Sequence, residues 1–130
     1  MRVYFDEFQC RSRCSTTQLA ILNCLQTRHH NGFVRERALR RIIDLNTPWS
    51  APFVVQLMSE YVIEILDMID AGWERVDGPL LARFLAENPR YHALVRRRVI
   101  SYWNVYYRRR FPRRESYVGF RLLDRLDQAA

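Results

Sequence analysis

The feature that most constrains this chain is the helical spacing of its apolar residues, which begins near Ser15 and continues to the C-terminus. Apolar side chains recur three and four positions apart in one segment after another, a spacing that places them on one face of an α-helix. The four glycines and five prolines fall mostly between these segments, where such residues end or begin helices. The pattern predicts an all-α fold of about six helices joined by short loops, in a single domain over residues 1–130.

Local signals place the ends of these helices. Ser15 followed by Gln18 is typical of a capping box, and Asn31–Gly32 is typical of a helix C-terminus. A short N-terminal arm, residues 1–14, precedes the first helix, and the loose alternation in residues 2–9 leaves open whether that part is a strand. The helices are predicted at 16–30, 33–45, 50–71, 79–87, 89–110 and 115–127.

The second predicted helix resembles part of a known architecture. Residues 31–39 read Asn-Gly-Phe-Val-Arg-Glu-Arg-Ala-Leu, and the Val-Arg-x-x-Ala-Leu core resembles the second helix of HEAT-type helical repeats. The resemblance implies that residues 16–45 form one helix pair, with the small Ala38 allowing close approach. It also implies a protein-binding scaffold, because HEAT-type proteins mostly act in that way. A small irregular helical bundle is the alternative packing.

The composition argues against most kinds of catalysis. All 21 basic residues are arginine, so Schiff-base chemistry and a P-loop lysine are excluded. The chain has no G-x-S-x-G, no H-E-x-x-H and no dinucleotide-binding fingerprint. We therefore expect no cofactor and no catalytic residues. An enzyme, either metal-dependent or using Glu60 and Glu64 with His92 as an acid–base set, is the third hypothesis for function.

Positive charge is concentrated in one segment. The formal net charge is +7, and residues 88–114 hold nine arginines, no acidic residue and six aromatic residues. Arginine interleaved with aromatic residues is typical of proteins that contact nucleic-acid phosphates and stack on bases. Two observations weaken that interpretation. The arginines point in several directions around a helix, and acidic residues of the third helix are expected to pair with some of them. The stripe Tyr91, Val95, Val99, Tyr102 and Tyr106 is predicted to lie in the core.

The sequence leads to two main hypotheses for function. The first is a protein-binding helical adaptor or inhibitor, and its candidate contact is the acidic face of the third helix, with Glu60, Glu64 and Asp67. The alternative is a sequence-tolerant nucleic-acid-binding protein. Its candidate residues, which are also the candidates for binding an acidic protein partner, are Arg96, Arg97, Arg108, Arg109, Arg113 and Arg114. A homo-oligomer is compatible with both, because a short helical array leaves terminal apolar faces that need cover.

Cysteine usage bears on metal binding and on compartment. Cys10, Cys14, Cys24 and His29 have the chemistry of a Cys3His zinc site, but the usual C-x2-C knuckle is absent. We therefore expect no metal, and Cys24 is expected to pack as a small apolar residue. The odd cysteine count, the absence of a signal peptide and the lack of a membrane-spanning segment predict a cytoplasmic protein.

Overall fold

A computed structural model describes residues 14–130. This part of the chain forms seven α-helices and no strand, which confirms the predicted all-α fold. A π-helical turn, Trp103–Tyr107, extends the sixth helix, and short 3-10 turns lie at Trp73–Arg75 and Arg114–Ser116. The helices are α1 Thr16–Gln26, α2 Gly32–Ile42, α3 Ala51–Met58, α4 Ile63–Ala71, α5 Gly78–Glu87, α6 Pro89–Tyr102 and α7 Val118–Ala129.

The C-terminal helix lies at the centre of the packing. Helix α7 packs against both α4 and α5, while α3 contacts α4, α5 and α6. Leu122, Leu123 and Leu126 of α7 are buried, and they belong to one apolar cluster that draws residues from all seven helices. Helices α1 and α2 pack on each other, and α2 contacts α4. The core is therefore continuous over the described helices.

The first two helices differ from prediction at their junction. The capping box is confirmed, since Ser15 Oγ accepts from the Gln18 amide at 3.2 Å and Gln18 Oε1 accepts from the Ser15 amide at 2.9 Å. The predicted helix end at Asn31–Gly32 is wrong, because α1 ends at Gln26. Asn31 instead begins α2, where its Oδ1 accepts from the Phe33 amide at 2.9 Å.

The predicted third helix, 50–71, is two helices. The break lies between Met58 and Ile63, where Ser59 Oγ donates to the Gln56 carbonyl at 2.9 Å. Glu60 turns inward, and its Oε2 lies 3.2 Å from the Nε of the buried Arg35. A continuous helix would place Glu60 on its solvent side, so the ion pair and the break occur together.

The close approach of α7 to α6 depends on a glycine. A Cβ atom at Gly119 would lie 2.7 Å from a ring carbon of Tyr117 and 3.0 Å from Val99 Cγ1, distances shorter than van der Waals contact. The side chains of Tyr117 and Val99 are buried and have little room to move. Gly119 therefore lies inside α7, despite its low helix propensity, because the packing has no space for a larger residue.

The packing of α1 on α2 bears on the HEAT resemblance. The α1–α2 contact is the helix pair that the HEAT resemblance implies, but residues 14–130 show no evidence of HEAT repeats. The N-terminal arm, apart from Cys14, lies outside the described residues. None of the helices in residues 14–130 has the length and apolar character needed to cross a membrane.

Candidate nucleic-acid interface

Most arginines of residues 88–114 are not ion-paired. Arg96 pairs with Asp127, and Arg114 Nη2 lies 3.7 Å from Asp124 Oδ1. Within residues 14–130, no carboxylate oxygen lies within 4.0 Å of a guanidinium nitrogen of the other seven. These are Arg90, Arg97, Arg98, Arg108, Arg109, Arg110 and Arg113. The expectation that third-helix acids would pair with this segment is therefore wrong.

The acidic residues of α4 pair elsewhere or face solvent. Asp70 accepts from Arg121 and Arg125 of α7, at 3.3 Å and 2.9 Å. Glu64 and Asp67 are exposed, and local desolvation raises the pKa of the Asp67 carboxyl against the opposing charge of Arg121. Glu60 is buried against Arg35, so the predicted acidic face of Glu60, Glu64 and Asp67 does not exist as one surface.

Two tyrosines of this arginine segment, Tyr102 and Tyr106, form a cluster with Tyr61 of the loop between α3 and α4. The ring centroids of Tyr61, Tyr102 and Tyr106 are 5.9 Å, 6.1 Å and 6.2 Å apart. Tyr106 is 62% exposed and Tyr61 is 45% exposed. The predicted buried stripe of α6 is therefore confirmed for Val95 and Val99 and wrong for Tyr106. Tyr61 is exposed and lies in the break between α3 and α4.

Local structure holds these rings in place. Tyr102 and Tyr106 are four residues apart and neighbours on one helical stretch that includes the π-helical turn Trp103–Tyr107, and such turns in α-helices often mark functional sites. The Tyr107 hydroxyl donates to the backbone carbonyl of Tyr61, and burial raises the pKa of that hydroxyl. The loop that carries Tyr61 is thus tied to the end of α6.

Two of the arginines that follow the π turn stack on aromatic rings. The Arg108 guanidinium lies over the Trp103 ring, 5.2 Å from its centroid, and donates to Asn104 Oδ1 at 3.2 Å. Arg110 lies over the Phe111 ring at 5.1 Å. A guanidinium stacked on a ring keeps most of its in-plane donors available. Arg109 and Arg113 are exposed.

The candidate metal ligands do not come together in the described part of the chain. Cys10 lies outside it, and residues 14–130 contain no group of three potential metal ligands. Cys24 is buried in the core, where desolvation raises the pKa of its thiol to about 11. His29 Nδ1 accepts from the Asn31 amide at 3.0 Å. His92, a candidate for acid–base chemistry, accepts from Arg96 at 3.1 Å.

The structure adds residues that the sequence did not single out. Tyr61 joins the tyrosine cluster through the long-range contact just described, and no local signal marks it. Arg110 has the same sequence signal as its neighbours, but it is not among the predicted nucleic-acid contacts.

Comparisons of the chain with known protein families, with curated proteins and with solved structures find no match.

Proposed function

We propose that this protein binds single-stranded nucleic acid with little sequence preference. The proposed contact is the arginine–tyrosine surface, defined as Tyr61, Tyr102, Tyr106, Arg108, Arg109, Arg110 and Arg113. The observation that carries the proposal is the tyrosine cluster, in which Tyr61 and Tyr106 are exposed, close in the chain to arginines without carboxylate partners in residues 14–130.

The charge and the rings have complementary roles in this proposal. Each phosphate neutralised by an arginine releases condensed counterions, which favours binding at low salt. An arginine paired with a carboxylate would have to lose that partner before it could bind a phosphate. The four arginines of the arginine–tyrosine surface have no carboxylate partner in the described part of the chain. Each base stacked on an aromatic ring contributes about 1–3 kcal/mol. Duplex bases are already stacked on each other, so exposed rings favour a single strand.

Sequence tolerance follows from the same chemistry. Every base has an aromatic face and every nucleotide has a phosphate, so stacking and phosphate contacts do not distinguish sequences. Asn104, an amide in the π-helical turn of the type that reads base edges, already accepts from Arg108. These contacts therefore support a surface that binds a single strand without recognising its base sequence.

Fluorescence anisotropy with labelled mixed-sequence oligonucleotides tests the proposal. We expect the wild type to bind a single strand more tightly than a duplex of equal length. Tyr106→Leu removes one stacking ring from an exposed position, and we expect it to weaken single-strand binding about 5- to 150-fold, given about 1–3 kcal/mol per stacked base. Arg83→Gln is the control, because Arg83 is exposed on α5 and away from this surface. Equal effects of the two variants, or tighter duplex binding, would contradict the proposal.

A second candidate function, the binding of a protein partner, has its own observation. Phe33 is 77% exposed and lines an apolar cavity of about 300 Å³ with Gly32 and Val62, and Glu36 and Glu64 lie beside them. These features suit a partner segment with an apolar side chain next to a basic one. Phe33→Ala is expected to abolish capture of such a partner, while Tyr106→Leu leaves it intact. Retained capture by Phe33→Ala would exclude this site.

A further inference from the structure

We propose that a cavity between the turn after α1 and the helices α3, α5 and α6 binds a phosphate monoester that also carries a flat ring, such as a nucleoside 5′-monophosphate. The cavity has a volume of about 330 Å³, within the range of small-ligand sites. It shares no residue with the arginine–tyrosine surface and does not depend on strand binding. Its lining residues are Arg28, Pro52, Gln56, Phe84, Tyr91 and Arg98.

Two arginines give the cavity its charge. Within residues 14–130, no carboxylate oxygen lies within 4.0 Å of a guanidinium nitrogen of Arg28 or Arg98. The Nε of Arg28 is buried, and it has no hydrogen-bond partner in this part of the chain. Buried polar groups are nearly always hydrogen-bonded in native proteins, so Arg28 is unusual in having a buried donor that the described chain leaves unused.

The position of Arg28 is fixed by packing. Its guanidinium lies over the Phe53 ring, 5.1 Å from the centroid, and its backbone amide donates to the Leu25 carbonyl at 3.1 Å. Arg98 reaches the same cavity from α6. Two guanidinium groups that converge from separate elements match a phosphate dianion in charge, and their planar donors suit its oxygens.

The remaining walls fit a flat ring. Phe84 and Tyr91 form an edge-to-face pair, with centroids 5.9 Å apart, and Pro52 adds a third apolar surface. The Gln56 amide offers both a donor and an acceptor, as the edge of a nucleobase requires. Burial raises the pKa of the Tyr91 hydroxyl, against the charges of Arg98 and Arg28, so this group keeps its proton and can donate to a phosphate oxygen.

Isothermal titration calorimetry on the full chain tests this site with adenosine 5′-monophosphate, adenosine and inorganic phosphate. We expect the monophosphate to bind at least tenfold more tightly than either fragment alone, because the arginines and the ring walls act together. Adenosine binding as tightly as the monophosphate would overturn the phosphate half of the proposal. Inorganic phosphate binding equally well would overturn the ring half.

Two neighbouring arginines of α6 provide a matched pair of variants. Arg98→Gln removes a guanidinium from the cavity, whereas Arg97→Gln removes the same charge from an exposed position on another side of the helix. We expect Arg98→Gln to weaken monophosphate binding at least tenfold and Arg97→Gln to leave it within twofold. Equal effects of the two variants would mean that monophosphate binding depends only on the net charge of the protein. Arg98 is partly exposed, and circular dichroism checks that its variant is folded.

These experiments test the strand-binding surface and the cavity site independently of each other. Tyr106→Leu is expected to weaken strand binding and to leave monophosphate binding unchanged, because Tyr106 does not line the cavity. No measurable heat from millimolar monophosphate with folded wild-type protein would overturn the cavity site alone.

Discussion

Arginines of two neighbouring segments have different surroundings in this protein. Arg121 and Arg125 of α7 both contact Asp70 of α4, whereas Arg108, Arg109 and Arg110 have no carboxylate partner in the described part of the chain. The difference follows from packing. Helix α7 lies at the centre of the fold against α4, so arginines at the edge of its buried face meet carboxylates. Only Val95 and Val99 are buried in α6, and most of its side chains meet water.

The comparison shows that packing, and not composition, decides which charges are neutralised. The net charge of residues 88–114 remains largely available for a ligand, and the sequence places exposed rings in the same segment. We expect variants of paired arginines to change folding stability and variants of unpaired ones to change binding.

The largest effect is expected at the buried pair of Arg35 and Glu60. Arg35 is 1% exposed, and its Nη1 also donates to the carbonyls of His29 and His30 at 2.9 Å and 3.0 Å. Arg35→Ala leaves these two carbonyls and the Glu60 carboxylate buried without the Arg35 guanidinium. We therefore expect a loss of about 3–5 kcal/mol in the free energy of unfolding. Urea denaturation measures the loss, and Arg97→Ala is the exposed control, expected within about 0.5 kcal/mol. Similar losses in the two variants would contradict the distinction between paired and unpaired arginines.

An intermediate effect is expected where α7 meets α6. Gly119→Ala raises helix propensity but places a Cβ against Tyr117 and Val99. We expect it to lower the free energy of unfolding by about 1–3 kcal/mol through overpacking. Gly32→Ala is the matched control, because a Cβ there has its nearest neighbour at 3.6 Å. A Gly119→Ala protein as stable as the wild type would show that the two helices are not closely packed.

The smallest effect on stability is expected at the surface pairs of Asp70. Its arginine partners are 44% and 41% exposed, so Asp70→Asn should lower the free energy of unfolding by only about 1 kcal/mol. The loss should shrink in 1 M NaCl, because salt screens exposed charges. Urea denaturation at low and high salt tests this, with the double variant R109Q/R113Q expected to show no loss at either. A salt-independent loss at Asp70 would point to packing as its cause.

Helix starts were the most predictable part of the fold, because their signals are local. The start of α1 was predicted from Ser15 and Gln18 alone, and Asp77 before α5 and Pro89 at the start of α6 are signals of the same local kind. The break at Ser59–Val62 contains no glycine or proline. It coincides with the Arg35–Glu60 pair, whose partners are far apart in sequence, so periodicity alone missed it.

The candidate site was predictable in its charge and not in its geometry. Arg108, Arg109 and Arg113 were identified from composition and are unpaired in the described chain, whereas the partners of Arg96 and Arg114 come from α7. The tyrosine cluster joins Tyr106 of the π-helical turn to Tyr61 of the α3–α4 loop, and neither the turn nor the loop has a sequence signal here. The cavity around Arg28 and Arg98 combines residues from separate segments.

The central claim, that the unpaired arginines hold a nucleic-acid strand, is tested most directly by its salt dependence. The affinity of the wild type and of R109Q/R113Q for one labelled single strand is measured by anisotropy from 50 to 200 mM salt. Each phosphate contact on a single strand contributes about 0.7 to the negative slope of log affinity against log salt. We predict a steep wild-type slope that is reduced by about 1.4 in the double variant. A wild type that does not bind at 50 mM salt, or equal slopes for the two proteins, would contradict the account.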